Sequence, residues 1–342
     1  MNATANTAAA PVQAYPPLAL VIDGKRIGAN ERATRAVIDP ASGETIGALP
    51  IATRADLDAA CEAAARAFLL WRRETPVARS AILRRAADIL RRRAPALAAI
   101  MVREQGKPLA EAEREFTVAA DWFDWCAEEG RRLYGRVIPT ALSATHFETA
   151  RQPIGPVAAF TPWNFPATQV TRKIAAALAA GCSCVLKPAE ETPASALALH
   201  DVLEEAGLPP GVLNIVFGDP PMISAHLIAH PAIAKISFTG STAVGKQLGA
   251  LAGAQVKPIT LELGGHAPVI IWEDADLDAA VSLGLGAKLR NAGQVCIAPT
   301  RFYVADTLFE AFAARFAAKA MAWPVGHGLD PASRMGPLAN ER

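Results

Sequence analysis

Phe238-Thr-Gly-Ser-Thr-Ala-Val-Gly-Lys246 is the stretch on which the reading of the fold turns. A strand-like apolar run ends here on glycine and hydroxyl residues, and helix-forming residues follow over 243–251. Gly240, Ser241 and Gly245 therefore stand at a strand end that opens a helix, where free N–H groups and the helix dipole favour a phosphate. The spacing is neither the G-x-G-x-x-G dinucleotide fingerprint nor a Walker-type G-K-[ST]. Ser241 or Thr242 would serve equally well as an ordinary N-cap.

Outward from that turn, strand and helix patterns alternate. Strand-like runs cover 157–160, 182–186, 212–217, 235–238, 259–263 and 268–272. Helical runs lie between them at 167–180, 193–206 and 222–229. This rhythm belongs to a parallel sheet covered on both faces, an α/β fold. Further upstream, 18–29 and 36–49 alternate around Asp-Gly and Ser-Gly pairs and predict short strands joined by tight turns. Thr53-Arg-Ala-Asp56 resembles a capping box, and Leu57, Ala60, Ala64, Phe68 and Trp71 recur behind it at helical spacing. More helices are predicted over 76–93, 95–105 and 109–129, with Pro95 in the first turn of its helix. Arg91-Arg-Arg93 then reads as a solvated helix end. Residues 134–154 predict a strand pair, either a contact between copies of the chain or an ordinary edge pair. Residues 1–15 read as a flexible tail.

Composition narrows the class. A chain of 342 residues with 51% hydrophobic and 20% charged residues can build a large core, in about two domains. A net charge of +1 argues against a nucleic-acid partner, and no apolar run reaches the ~18–20 residues of a membrane span. The five cysteines form neither a zinc spacing nor an even disulfide set, so a reducing, cytoplasmic setting is expected. His226 and His230 stand four apart without the glutamate of a metalloprotease helix, and no metal site is expected.

Four places carry candidate chemistry. Lys187-Pro-Ala-Glu190 falls at the carboxyl edge of the sheet, where a lysine and a carboxylate could bond both hydroxyls of a ribose. That carboxylate would repel a 2′-phosphate and so favour NAD over NADP, although a turn with solvated charges is a common alternative. Asn164, between two prolines in Phe160-Thr-Pro-Trp-Asn-Phe-Pro166, offers an amide donor for an oxyanion or simply forms a turn. Glu262 ends an apolar strand before Gly264-Gly265; buried there, it could act as a general base, or it could make a sheet-edge salt bridge. Cys296, between a helical run and a strand, is either a nucleophile or a small buried hydrophobe.

Together these segments resemble the NAD(P)-dependent aldehyde dehydrogenase superfamily. The matching motifs are Pro162-Trp-Asn-Phe-Pro166, Lys187-Pro-Ala-Glu190, Phe238-Thr-Gly-Ser241 with Gly245, Glu262-Leu-Gly-Gly265 and Gly293-Gln-Val-Cys296. The resemblance implies a Rossmann-type cofactor domain over 16–135 and 152–261, an oligomerisation hairpin over 136–151, and an α/β catalytic domain from 262 that is incomplete at 342. It also implies that Cys296 is the nucleophile, Glu262 the base and Asn164 the oxyanion donor. Thr161, Pro162, Trp163, Lys187, Glu190, Gly240, Ser241 and Gly245 would hold the cofactor. Within the superfamily the chain looks most like succinate-semialdehyde and α-ketoglutaric-semialdehyde dehydrogenases, and Cys296-Ile-Ala-Pro-Thr-Arg-Phe302 leans to the second. Arg172 and Arg290 match positions that grip the distal carboxylate of such substrates. A homo-oligomer that oxidises a semialdehyde acid with NAD is the expectation. The alternative is a truncated product that only binds dinucleotide.

Overall fold

The computed structural model describes residues 14–341. Two hairpins come first: β1 (Ala19–Ile22) with β2 (Lys25–Gly28), and β3 (Thr34–Ile38) with β4 (Thr45–Pro50). Asp23 (φ 53°) and Gly24 (φ 74°) form the first turn, the left-handed pair that matches the twist of a two-residue hairpin. Three long helices follow: α1 (Arg54–Trp71), α2 (Pro76–Gln105) and α3 (Leu109–Gly130). The capping box of α1 is present, Asp56 N–H donating to Thr53 Oγ1 and Thr53 N–H to Asp56. Strands β5 (Arg136–Ile138) and β6 (Phe147–Thr149) make a hairpin whose strand residues are all exposed.

The alternating half then runs β7 (Val157–Phe160), α4 (Pro166–Ala179), β8 (Cys184–Lys187), α5 (Pro193–Glu205) and β9 (Leu213–Ile215). It continues with α6 (Pro220–Ala229), β10 (Lys235–Gly240), α7 (Thr242–Ala254) and β11 (Ile259–Leu263). Beyond it lie β12 (Ala267–Ile271), α8 (Leu277–Leu289), β13 (Pro299–Val304) and α9 (Asp306–Met321).

Seven strands form one sheet in the order β11-β10-β7-β8-β9-β1-β2. The five strands from β7 to β11 are parallel, and the β1–β2 hairpin joins β9 antiparallel, so the sheet is mixed at one edge. From β7 the chain winds one way to β9, then returns to lay β10 on the other side of β7. That reversal puts a crevice at the carboxyl ends of β7 and β10, where open α/β sheets bind ligands. Helices α2 to α5 cover one face, and α1, α6 and α7 the other. Fully buried Val185, Leu186, Ile215 and Ile236 anchor the strands, each worth roughly 1.5–3 kcal/mol. The parallel pair β12–β13 packs on α8 and α9 around Ile271, Val281 and Phe312. No described helix is long and apolar enough to cross a membrane.

Three expectations need correction. The predicted helices 76–93 and 95–105 are one helix, α2, with Pro95 inside it. Proline there removes a hydrogen bond and crowds the Arg91 carbonyl, but Pro95 is exposed and water can satisfy that carbonyl. Packing against α3 and α5 keeps the helix continuous. Arg91 and Arg93 are consequently mid-helix, pairing with Asp121 and Asp124 of α3 and with Glu205 of α5. Of the tail, residues 1–13 lie outside the described residues; Tyr15 is docked, its hydroxyl donating to Glu104 Oε2 at 2.6 Å.

Helices α4 and α5 open on Pro166 and Pro193 with no side-chain cap of their own. Carboxylates from other helices supply one through space. Glu115 Oε1 accepts from Ala167 N at 2.8 Å and Thr168 N at 3.1 Å. Glu104 accepts from Ala194 N and Ser195 N, both at 2.9 Å.

Candidate active site

The crevice at the strand reversal is bounded by the loop after β7, Thr161-Pro-Trp-Asn-Phe165, and by Gly240-Ser241 after β10. Ser241 is the N-cap of α7, its hydroxyl accepting from Val244 N at 3.3 Å, and the first residues of that helix are exposed. Gly245 lets α7 approach β11, because a Cβ there would come within 2.4 Å of Leu263 Cδ2. Lys187 ends β8, and its Nζ lies 2.7 Å from Glu190 Oε2, with both side chains buried. Glu190 Oε1 also accepts from Gly218 N at 3.2 Å. Thr161 Oγ1 and Thr192 Oγ1, at the edges of this crevice, are buried without a partner. Pro162 and Trp163 are half-buried in the same loop. An orphaned hydroxyl, a buried Lys–Glu pair and an open helix N-terminus together suit the hydroxyl and phosphate groups of a dinucleotide.

Beside the crevice lies a cleft of about 820 Å³. Cys296 lines it together with Arg172 of α4 and Arg290, the residue closing α8. Cys296 is exposed, whereas Cys61, Cys126, Cys182 and Cys184 are buried, and burial pushes the thiol of Cys61 up to about 12. The Arg172 guanidinium lies 4.5 Å over Trp122, and that of Arg290 lies 4.9 Å over Phe165. Arg114 and Arg334 line the same cleft, as do Glu111 and Glu115, so four guanidinium groups outnumber two carboxylates around an exposed thiol.

Asn164 reaches the cysteine turn from the side. Its Nδ2 donates to Gln294 O at 3.0 Å, which engages one of the two amide hydrogens, and its Oδ1 is buried without a partner. Glu262 behaves differently from expectation. It sits on β11 beside Thr239 of β10, but its side chain is exposed and does not line the cleft. The strand alternates half-buried and exposed residues, and position 262 falls on the open face. The burial expected of a general base is therefore not supplied by the described residues.

Several residues at the site carried no signal in the sequence. Lys107 is fully buried, paired with Glu115, and donates from Nζ to Asn164 O at 2.9 Å. Burial pushes its pKa down, while the Glu115 charge opposes that. Glu111, raised by burial, accepts from Asn291 N at 3.0 Å. Asn291 (φ 48°), Ala292 (φ 54°) and Gly293 (φ 77°) are consecutive left-handed residues just before Cys296. Each non-glycine residue there costs roughly 1–2 kcal/mol, so the turn needs outside support. His226, whose spacing to His230 raised the question of a metal, instead faces Asp58 of α1 at 2.7 Å.

Residues 27–342 match the family model described as the aldehyde dehydrogenase family, and the chain belongs to that family. More particularly, it is 44% identical over 322 residues to succinate-semialdehyde dehydrogenase [NADP(+)] of Escherichia coli, covering 94% of this chain and 67% of that protein. Glutarate-semialdehyde dehydrogenase of Pseudomonas putida is 44% identical over 317 residues, covering 93% of this chain and 66% of the relative. A crystal structure of succinate-semialdehyde dehydrogenase from Burkholderia pseudomallei matches with a TM-score of 0.92 at 46% identity, covering 94% of this chain and 67% of that one. The chain spans about two thirds of the length of these relatives.

Proposed function

We propose that the protein oxidises a semialdehyde acid, of the succinate- or α-ketoglutaric-semialdehyde class, to the dicarboxylate with NAD. The observation that carries this reading is the single cleft in which an exposed Cys296 meets Arg172 and Arg290. The thiolate of Cys296 adds to the aldehyde carbon, and the resulting oxyanion takes the second N–H of the Asn164 amide and the Cys296 backbone N–H. Lys187, Glu190, Ser241 and the Thr161 loop would hold a nicotinamide dinucleotide, which when bound would supply the hydride acceptor. Loss of hydride from the tetrahedral carbon leaves a thioester on Cys296. Glu262, exposed on β11 outside the cleft lining, would have to turn towards Cys296 to take a proton from water; the hydroxide then adds to the thioester, and the carboxylate leaves as the thiolate returns. The guanidinium groups of Arg172 and Arg290 hold the distal carboxylate by bidentate pairing.

Glu190 supports NAD over NADP, since a carboxylate beside the ribose repels a 2′-phosphate. The two named semialdehyde relatives support the substrate class. Free cysteines fit a reducing cytoplasm. The exposed β5–β6 hairpin, with Val137 81% exposed, supports a homo-oligomer.

The test incubates the 342-residue chain with NAD and succinate semialdehyde and follows NADH absorbance. NADH forms with the parent chain and not with Cys296→Ser. Dinucleotide binding without NADH in the parent would sink the catalytic reading and leave a dinucleotide-binding product.

A further inference from the structure

Asn291, the first of the three left-handed residues before Cys296, is held through both its side chain and its backbone. Asn291 is 1% exposed. Its Nδ2 donates to Asn164 O at 2.9 Å, and its Oδ1 accepts from Gln105 Nε2 at 2.9 Å. Its N–H donates to the Glu111 carboxylate, and its carbonyl accepts from Gln294 Nε2 at 3.0 Å. Gln105 is fixed in turn, because its Oε1 accepts from Lys107 N at 3.0 Å. Lys107 Nζ closes the ring on the same Asn164 carbonyl that Asn291 bonds. Four segments thus meet on one asparagine: the end of α2, the first turn of α3, the β7–α4 loop and the cysteine turn.

We infer that Asn291, oriented by Gln105, is a positioning residue that sets the Asn164 amide and the Cys296 backbone in one fixed relation. The inference rests on the reading of Asn164 as oxyanion donor and Cys296 as nucleophile. Its chemistry is specific to asparagine. Aspartate has the shape, but it lacks the Nδ2 donor and would bring a charge towards Glu111. Glycine accepts the left-handed backbone at no strain but makes none of the side-chain links. A buried group that bonds two loops at once converts their separate motions into one, which is the preorganisation an oxyanion site needs.

Asn291→Gly therefore separates the two roles. In the full chain, hydrogen exchange should quicken about tenfold in peptides covering 162–165 and 291–298, with exchange in α1 and α6 unchanged and the melting temperature nearly so. In the NADH assay kcat should fall about tenfold while KM for the aldehyde stays within about threefold. Gln105→Ala should show the same pattern, and the double variant should be no worse than Asn291→Gly, because both act through one contact. Uniformly faster exchange with a lowered melting temperature would mark a structural role only and overturn the proposal. Unchanged exchange at 162–165 would overturn it as well. If the parent chain forms no NADH, the proposed activity has failed, and the exchange pattern still decides whether Asn291 couples the two loops.

Discussion

The guanidinium carbons of Arg172 and Arg290, both lining the cysteine cleft, lie 4.5 Å and 4.9 Å from the ring centres of Trp122 and Phe165. A ring packed against each guanidinium limits the rotamers that must be frozen when a carboxylate binds. Arg290→Ala should raise KM at least about tenfold for semialdehyde acids and change it little for uncharged aldehydes; steady-state kinetics on both classes decides, and equal effects would remove the clamp. Five thiols give a second residue-scale outcome: a thiol reagent should titrate one fast group in the native chain, Cys296, and all five after denaturation. The sequence places Cys296, Lys187, Glu190 and Ser241 where one element ends and another begins, and the fold puts them there. Asn291 was not legible, because its part depends on a positive φ and on partners 180 and 186 positions away. The exposure of Glu262 was hidden for a related reason: an apolar strand does not say which of its two faces is covered.

Among the elements, α4 and α5, which begin on proline without a cap of their own, contrast with α1. Local chemistry caps α1, and that signature was readable from Thr53 and Asp56. The caps of α4 and α5 come from Glu115 and Glu104, 52 and 90 or more positions upstream, so no local pattern announces them. Glu115 also neutralises buried Lys107. Replacing Glu115 with alanine strips a helix of its cap and leaves an ammonium group buried without its counter-charge. The loss should reach about 3–5 kcal/mol, read as a shift of the urea midpoint at unchanged slope. An effect below about 1 kcal/mol, the worth of a surface pair, would show that Lys107 finds another partner. The continuity of α2 through Pro95 had the same origin, since tertiary packing and not local propensity sets its length.

At the scale of the molecule, the parallel sheet was the part most readable in advance, because strand and helix segments alternate through it. Strand order, and with it the reversal between β7 and β10 that places the crevice, comes only from the fold. The β1–β2 hairpin was readable from its Asp-Gly turn, but its docking on the far edge was not, because pairing between β1 and β9 is a contact across nearly 200 residues. Global stability should carry the mark of Glu104, which burial raises from 4.5 to about 7 although Ser195 and Tyr15 bond it. The folded state then holds its proton more tightly than the unfolded chain. Its contribution is complete below about pH 4.5 and is lost as pH rises through about 7, a difference of order 3 kcal/mol at ~1.4 kcal/mol per pKa unit. Thermal melts from pH 5 to 8 should show this fall in the parent and a flatter profile in Glu104→Gln; identical slopes would refute it. The hairpin belongs to this scale too. Charging Val137 and Phe147, both exposed, should shift sedimentation to a smaller species if the homo-oligomer proposal holds.

The left-handed turn before Cys296 also bears on the order of events in folding. Its conformation is unfavourable alone, and the groups that stabilise it come from α2, α3 and the loop after β7. Those segments must already have met before the turn gains anything by closing. We expect the cysteine loop to be among the last parts of the chain to order, with pulsed hydrogen exchange protecting 76–105 well before 291–296. A nascent chain would then complete the surroundings of Cys296 only after the crevice beside it had formed.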